Sequence, residues 1–260
     1  MRIAAVFMPF FALIAGALGF YFRRMELLYV FDAVTGLPER GAFVTSALIA
    51  LSAAFIVISL IFSIVVGVRK ISPTGFDNAF GTDPLTYPFS FSIIALVWLG
   101  ATVMLFVESR ANGNMPLVDI YFIALSAIAA ISVGFFAIEM YNDPRRKSVY
   151  ALSMIPTIFM CFWLVMLYRQ NAANHVLLSY AYQCLAIIAS ALGFYFTSGF
   201  VYSKPAPGKT LLFYFLAVFF CFVTLADNHG LMVRIIFAAL IAINVLSSSK
   251  LLRHLRRKPI

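Results

Sequence analysis

Long apolar runs, cut by short polar breaks, dominate this chain. A membrane-crossing helix needs roughly 20 mostly apolar residues. Eight such runs are present, at about 3–22, 43–68, 90–107, 117–140, 149–168, 176–200, 210–226 and 230–249. The composition agrees, with 63% hydrophobic and only 11% charged residues, against about 25% charged in an average soluble domain. So few charges cannot coat a water-soluble fold, and so much apolar surface excludes a disordered chain. The predicted fold class is all-α: a polytopic transmembrane helix bundle with about eight spans, forming one integral membrane domain over residues 1–260. Eight spans of ~20 residues leave about 100 for connections, too few for a separate soluble domain. The basic segment 250–260 reads as a short cytoplasmic tail.

The breaks carry the residues that end helices. Ser72-Pro73-Thr74-Gly75 and Asp83-Pro84 lie in the second connection, Asn112-Gly113-Asn114 with Pro116 in the third, and Asn142-Asp143-Pro144 in the fourth. Pro205, Pro207 and Gly208 divide the sixth span from the seventh, and Asp227-Asn228-His229-Gly230 turns the seventh into the eighth. Arg2, the apolar run and Ala15-Gly16-Ala17 have the parts of a signal peptide. The run continues to Phe22, beyond the about 7–15 residues of a signal core, so a retained first helix is expected.

Cytoplasmic loops hold the excess of Lys and Arg. Arg2, Arg69, Lys70, Arg145, Arg146, Lys147, Lys204, Lys209, Lys250, Arg253, Arg256, Arg257 and Lys258 fall on one face, 13 of the 19 basic residues. Arg23, Arg24, Arg40, Arg110, Arg169 and Arg234 make the 6 on the other. Four acids join the first face and six the second, so the first carries +9 and the second is neutral. Both termini are therefore expected in the cytoplasm and the chain in the plasma membrane, with the basic face attracting anionic lipid headgroups. Arg23-Arg24 runs against this pattern, because the rule counts basic residues rather than net charge. A short basic tail is too little for nucleic-acid binding, and none is expected.

Small residues at helical spacing mark faces where helices pack closely in lipid. Ser52, Ser59, Ser63 and Gly67 do so in the second span, Ser126, Ala130, Gly134 and Ala137 in the fourth, and Ala189, Gly193 and Thr197 in the sixth. Pro9 and Pro156 are expected to bend their helices. Tyr21, Tyr29, Tyr87, Tyr141, Tyr150, Tyr168 and Tyr202 stand at span ends, where an interfacial aromatic belt is expected.

Catalytic signatures are missing. Gly208-Lys209-Thr210 has the ending of a P-loop, but Ser203 stands where its first glycine belongs. The segment 31–40 resembles the opening of a diguanylate cyclase domain, yet a membrane span begins by Phe43 and leaves no room for one. His-Glu-x-x-His and Gly-x-Ser-x-Gly are absent. Cys161, Cys184 and Cys221 lie in three different spans and read as small buried hydrophobes, with no metal or cofactor expected.

One polar cluster remains, on the neutral face. Glu108 ends the third span and Asp119 begins the fourth; Arg169, Asn171, Asn174 and His175 join the fifth and sixth; Asp227 and His229 join the seventh and eighth, with Arg234 one turn below. Gln183 and Asn244 lie deeper. Ionisable groups at membrane depth are functional candidates, and Asp227 and Arg234 are also placed to pair across their turn. The leading expectation is a transport-related permease or a membrane component of a transport complex. The alternative is a non-catalytic structural, sensory or assembly subunit with a membrane-protein partner. Enzymatic activity is not favoured.

Overall fold

The computed structural model describes residues 2–31, 39, 41–71, 75–81, 85–111, 116–143, 147–172, 176 and 179–257. Nearly all of them are helical. The order is α1 (Arg2–Tyr29), α2 (Phe43–Arg69), β1 (Lys70–Ile71), α3 (Phe76–Phe80), α4 (Thr86–Ala111), α5 (Leu117–Asn142), α6 (Lys147–Gln170), α7 (Ala181–Val201), α8 (Pro207–Thr224), α9 (Leu231–His254) and β2 (Arg256–Arg257). Among the described residues seven helices, α2 and α4 to α9, are long and apolar enough to cross a membrane. The eighth long helix, α1, carries Arg23, Arg24 and Glu26 in its last turns and packs against α2, α8 and α9. The protein is an all-α, multi-pass membrane bundle. Helices suit that solvent because each one satisfies its own backbone polar groups.

The long helices alternate in direction, which gives the bundle two ends. Lys70–Ile71 pairs antiparallel with Arg256–Arg257, so the second connection and the C-terminal segment meet at one end, here the basic end. The connections α1–α2, α6–α7 and α8–α9 lie at the opposite end.

Helix α8 is the axis. It packs against α1, α2, α7 and α9, and 67% of its 18 residues are buried, against 28% of an apolar 18-residue stretch in α2 and in α4. Hydrophobicity does not drive helices together in lipid, so close approach and hydrogen bonds must. At the α2–α8 crossing the Ser63 hydroxyl donates to the Gly208 carbonyl at 2.8 Å. A Cβ at position 208 would lie 2.6 Å from the Ser63 carbonyl oxygen, so only glycine fits. At α7, a Cβ on Gly193 would meet Asn244 Oδ1 at 3.2 Å and the Tyr214 ring at 3.4 Å. In α5, Ser126 accepts from Trp98 Nε1 at 3.0 Å and bonds Thr102 at 2.9 Å.

Several sequence boundaries shift. Helix α7 begins at Ala181, not 176, because the chain before it leaves the Ser179 carbonyl free of the helix and bonded elsewhere. Helix α8 begins at Pro207, whose missing N–H costs nothing in a first turn. Helix α9 runs past 249 to His254, so Lys250, Arg253 and His254 belong to its last turns rather than to a tail. Cations are favourable at that end of the helix dipole.

The second connection contains α3, which sequence patterning missed. Gly81, at φ 61°, caps it in the left-handed region that glycine enters freely. Phe76 stacks on Phe80 and meets Tyr87 and Phe136 edge-on, while Phe80 meets Phe200. Tyr87, expected in the interfacial belt, is consequently buried beneath α3. The other six tyrosines named above are exposed. Cys161, Cys184 and Cys221 are free thiols.

Candidate functional site

The opposite end holds a buried ionic cluster centred on a residue outside the expected set. Arg23 and Glu26 are three apart on α1, hence on one helix face, and both side chains are 0% exposed. The guanidinium donates in three directions: Nε to Asp227 Oδ1 at 2.7 Å, Nη1 to Glu26 Oε2 at 2.7 Å, and Nη2 to the Ser179 carbonyl at 3.1 Å. Thr45, at the start of α2, donates its hydroxyl to Glu26 Oε1 at 2.8 Å. The Tyr182 ring lies 5.2 Å and the Phe31 ring 5.8 Å from the guanidinium carbon. One side chain thus ties α1 to the α8–α9 turn and the approach to α7, and through Glu26 to α2.

The turn itself is tightly built. Asp227 N–H donates to Thr224 O at 3.0 Å, and His229 N–H to Asp227 O at 2.8 Å. Arg234 Nη2 donates to the Asp227 main-chain carbonyl at 3.1 Å. Asp227, His229 and Arg234 therefore share one site, but the Asp227 carboxylate pairs with Arg23 rather than with Arg234. His229 Nε2 lies 3.9 Å from Asp227 Oδ2, and its ring leans on Phe237. Both His229 Nε2 and Arg234 Nε are buried without a hydrogen-bond partner.

The charges balance. Two arginines face two carboxylates, so an additional proton on His229 would leave the cluster positive. Burial, followed by the neighbouring Arg234 and Arg23, lowers the imidazole from 6.5 to about 4. The contact with Asp227 is therefore one between a neutral ring and a carboxylate at neutral pH. Burial also pushes the Asp227 carboxyl up, from 3.8 to about 6, against the pull of Arg23. The two shifts oppose each other. The raised carboxyl stabilises the fold at low pH and loses that contribution as pH rises through about 6. The lowered imidazole stabilises it above about 6.5 and loses that contribution as pH falls toward about 4.

The other expected residues do not join this group. Glu108 and Arg169 are exposed in the last turns of α4 and α6, and Asp119 is half-buried in the first turn of α5. None of the three makes a side-chain hydrogen bond or ion pair to a described residue. His175 and Asn174 lie outside the described residues. Asn171 caps its own helix through the Leu167 carbonyl at 3.0 Å. Asn244 is buried and bonds the Leu240 carbonyl at 2.7 Å.

Away from this cluster, cavities open in the half of the bundle nearer the basic end. One, of about 40 Å³, sits inside the bundle beneath α3. Another, of about 290 Å³, is an apolar lateral groove between α4 and α5. Among the described residues no group of three His, Cys, Asp or Glu is placed to hold a metal ion.

The fold defines a multi-pass integral membrane protein with an ionic lock at one end of its bundle. No family model matches the chain, nor does any curated protein or solved structure.

Proposed function

We propose that the protein is a non-catalytic subunit of a membrane complex, with both termini on the cytoplasmic side of a plasma membrane and its basic end against anionic lipid. The observation that supports this reading is the way the cluster spends its charges. Arg23 engages each of its three nitrogens, on Asp227, Glu26 and Ser179, which commits its charge to groups of this chain. The axis of the bundle is filled by α8. A cluster of this kind holds helices in register, and its two unpartnered nitrogens, His229 Nε2 and Arg234 Nε, are buried, whereas a transport site presents unsatisfied groups to a water-filled path.

A transport-related activity is the second reading. What favours it is the internal cavity, whose wall includes the hydroxyl-bearing residues Tyr87, Ser153, Thr197, Tyr214 and Ser247.

Two measurements on the full chain separate the readings. Solubilised gently from its native membrane, the protein should run in a complex with other membrane chains at fixed stoichiometry. Purified and reconstituted alone, it should carry no flux of small neutral or ionic solutes across liposomes. A monodisperse single chain that passes solute in liposomes overturns the subunit reading and establishes the transport one.

A further inference from the structure

We propose that the cavity beneath α3 is a binding site for a small uncharged hydroxylic molecule, either water or a short-chain alcohol. The cavity is lined by Phe76 of α3 and by the basic-end halves of α4 to α9. Its walls are aromatic and aliphatic apart from a few hydroxyls. Most of those hydroxyls are already bonded. Ser153 donates to the Tyr150 carbonyl at 2.8 Å. Thr197 donates to the Gly193 carbonyl at 2.6 Å and shares a second hydrogen bond with the Tyr214 hydroxyl. Ser247 stands beside the Tyr214 phenol.

Tyr87 makes none of these bonds. It is 1% exposed and lines the cavity. A buried tyrosine hydroxyl normally finds a partner, and leaving a buried donor unmet is costly. A second polar group belongs to the same wall. Leu152 and Pro156 both line the cavity and lie four residues apart in α6. Proline has no N–H, so the Leu152 carbonyl lacks the donor that a helix would give it. Tyr87 and Leu152 thus bring a donor and an acceptor to residues that line one space, and a hydroxyl group can bond both. The volume sets the size. A water needs roughly 10–15 Å³ by this measure, and a cavity of ~150 Å³ admits benzene. The 40 Å³ here suits about three waters or one small alcohol and excludes a planar ring.

The test is hydroxyl-radical labelling by millisecond X-ray radiolysis, with the full chain in phospholipid nanodiscs and oxidation sites read by mass spectrometry. Bound water is activated where it sits. Tyr87 should therefore oxidise several-fold faster than Trp98, which is equally buried and hydrogen-bonded to Ser126. Val133→Phe fills the space and should bring Tyr87 down to the Trp98 rate. Pro156→Ala returns a backbone donor to the Leu152 carbonyl and removes the acceptor. With the helix otherwise preserved, it should weaken occupancy about tenfold and slow Tyr87 accordingly. Added 2-fluoroethanol distinguishes the occupants. Protection of Tyr87, with fluorine line broadening that Val133→Phe abolishes, assigns an alcohol-sized ligand; unchanged labelling assigns water alone. Tyr87 reacting no faster than Trp98, or equally fast in wild type, Val133→Phe and Pro156→Ala, overturns the proposal.

Discussion

Replacing Arg23 with methionine isolates what the ionic cluster does. Methionine keeps an unbranched apolar stem of similar length and removes the guanidinium. Three hydrogen bonds disappear, at 2.7, 2.7 and 3.1 Å. Two carboxylates then remain buried, with Arg234 as the nearby cation, bonded to the Asp227 main chain. Removing one partner of a buried pair costs about 3–5 kcal/mol, because the charge left behind is uncompensated. Protonation caps the charge part of that cost. Asp227 escapes its burial penalty by taking up a proton, and from about 6 this costs about 1.4 kcal/mol at pH 7; the three lost hydrogen bonds add about 0.5–1.5 kcal/mol each, which brings the sum into the same range. At pH 5 Asp227 already carries that proton, so acid should remove the charge part and rescue the variant in part.

The assay is reversible unfolding in mixed micelles with rising SDS, followed by the fluorescence of Trp98 and Trp163, the two tryptophans of the chain. Asp227→Asn alone exchanges a charge-assisted bond for a neutral one and should cost about 1.5–3 kcal/mol. In the Arg23→Met, Asp227→Asn double variant one buried charge is gone with its partner. Its loss should fall short of the sum of the single losses by about 2 kcal/mol, within the range of directly contacting pairs. A loss below about 1 kcal/mol for Arg23→Met, an additive double variant, or an equal loss at both pH values would refute the reasoning.

The remaining expectations concern titration, packing and topology. In His229→Phe the Asp227 contribution is no longer offset, so stability should fall by about 2 kcal/mol between pH 4 and 6 while the wild type stays nearly flat; equal profiles would refute the opposed shifts. Gly193→Leu should sharply reduce folded yield in detergent, because Asn244 and Tyr214 leave no room for it, whereas Ala54→Leu on the exposed face of α2 should not; equal yields would mean that this face of α7 is not packed. Reporter fusions at Pro205 and after Ile260 should read cytoplasmic and fusions near Asn112 exterior, and an exterior C-terminus reverses the orientation.

The helices were legible in the sequence because lipid allows little else: a 20-residue apolar run has to satisfy its own backbone. The cluster was legible only in part. Asp227, His229 and Arg234 stand close in the chain, and a turn at Gly230 brings them together. Arg23 acts across 204 positions, a separation over which periodicity carries no information. It nevertheless left a trace. Arg23-Arg24 broke the charge pattern, and the structure divides that pair: Arg24 is exposed, whereas Arg23 is wholly buried. Its spacing from Glu26 was the local sign of a helix-face ion pair. Helix α3 was hidden for a different reason. Five residues give no repeat from which to read a period, and they lie between the helix-ending groups Ser72-Pro73-Thr74-Gly75 and Asp83-Pro84.

The two ends of the bundle are held by different physics. At the opposite end the interactions are directional and charged, and a single guanidinium fixes the relative positions of the chain segments around it. At the basic end α3 covers the interior through ring contacts, and β1 with β2 adds only a two-residue ladder. An aromatic pair has a geometric preference of only about 0.5–1.5 kcal/mol, whereas a three-way guanidinium loses whole charge-assisted hydrogen bonds when displaced. The Tyr87 hydroxyl and the Leu152 carbonyl both lie at this more yielding end, beside the cavity. The groups bound by the Arg23 guanidinium lie at the stiff end. Any molecule that enters the interior therefore meets its hydrogen-bonding partners at the end where the covering element is held by the least directional contacts, and the ionic lock keeps the rest of the bundle in register while it does so.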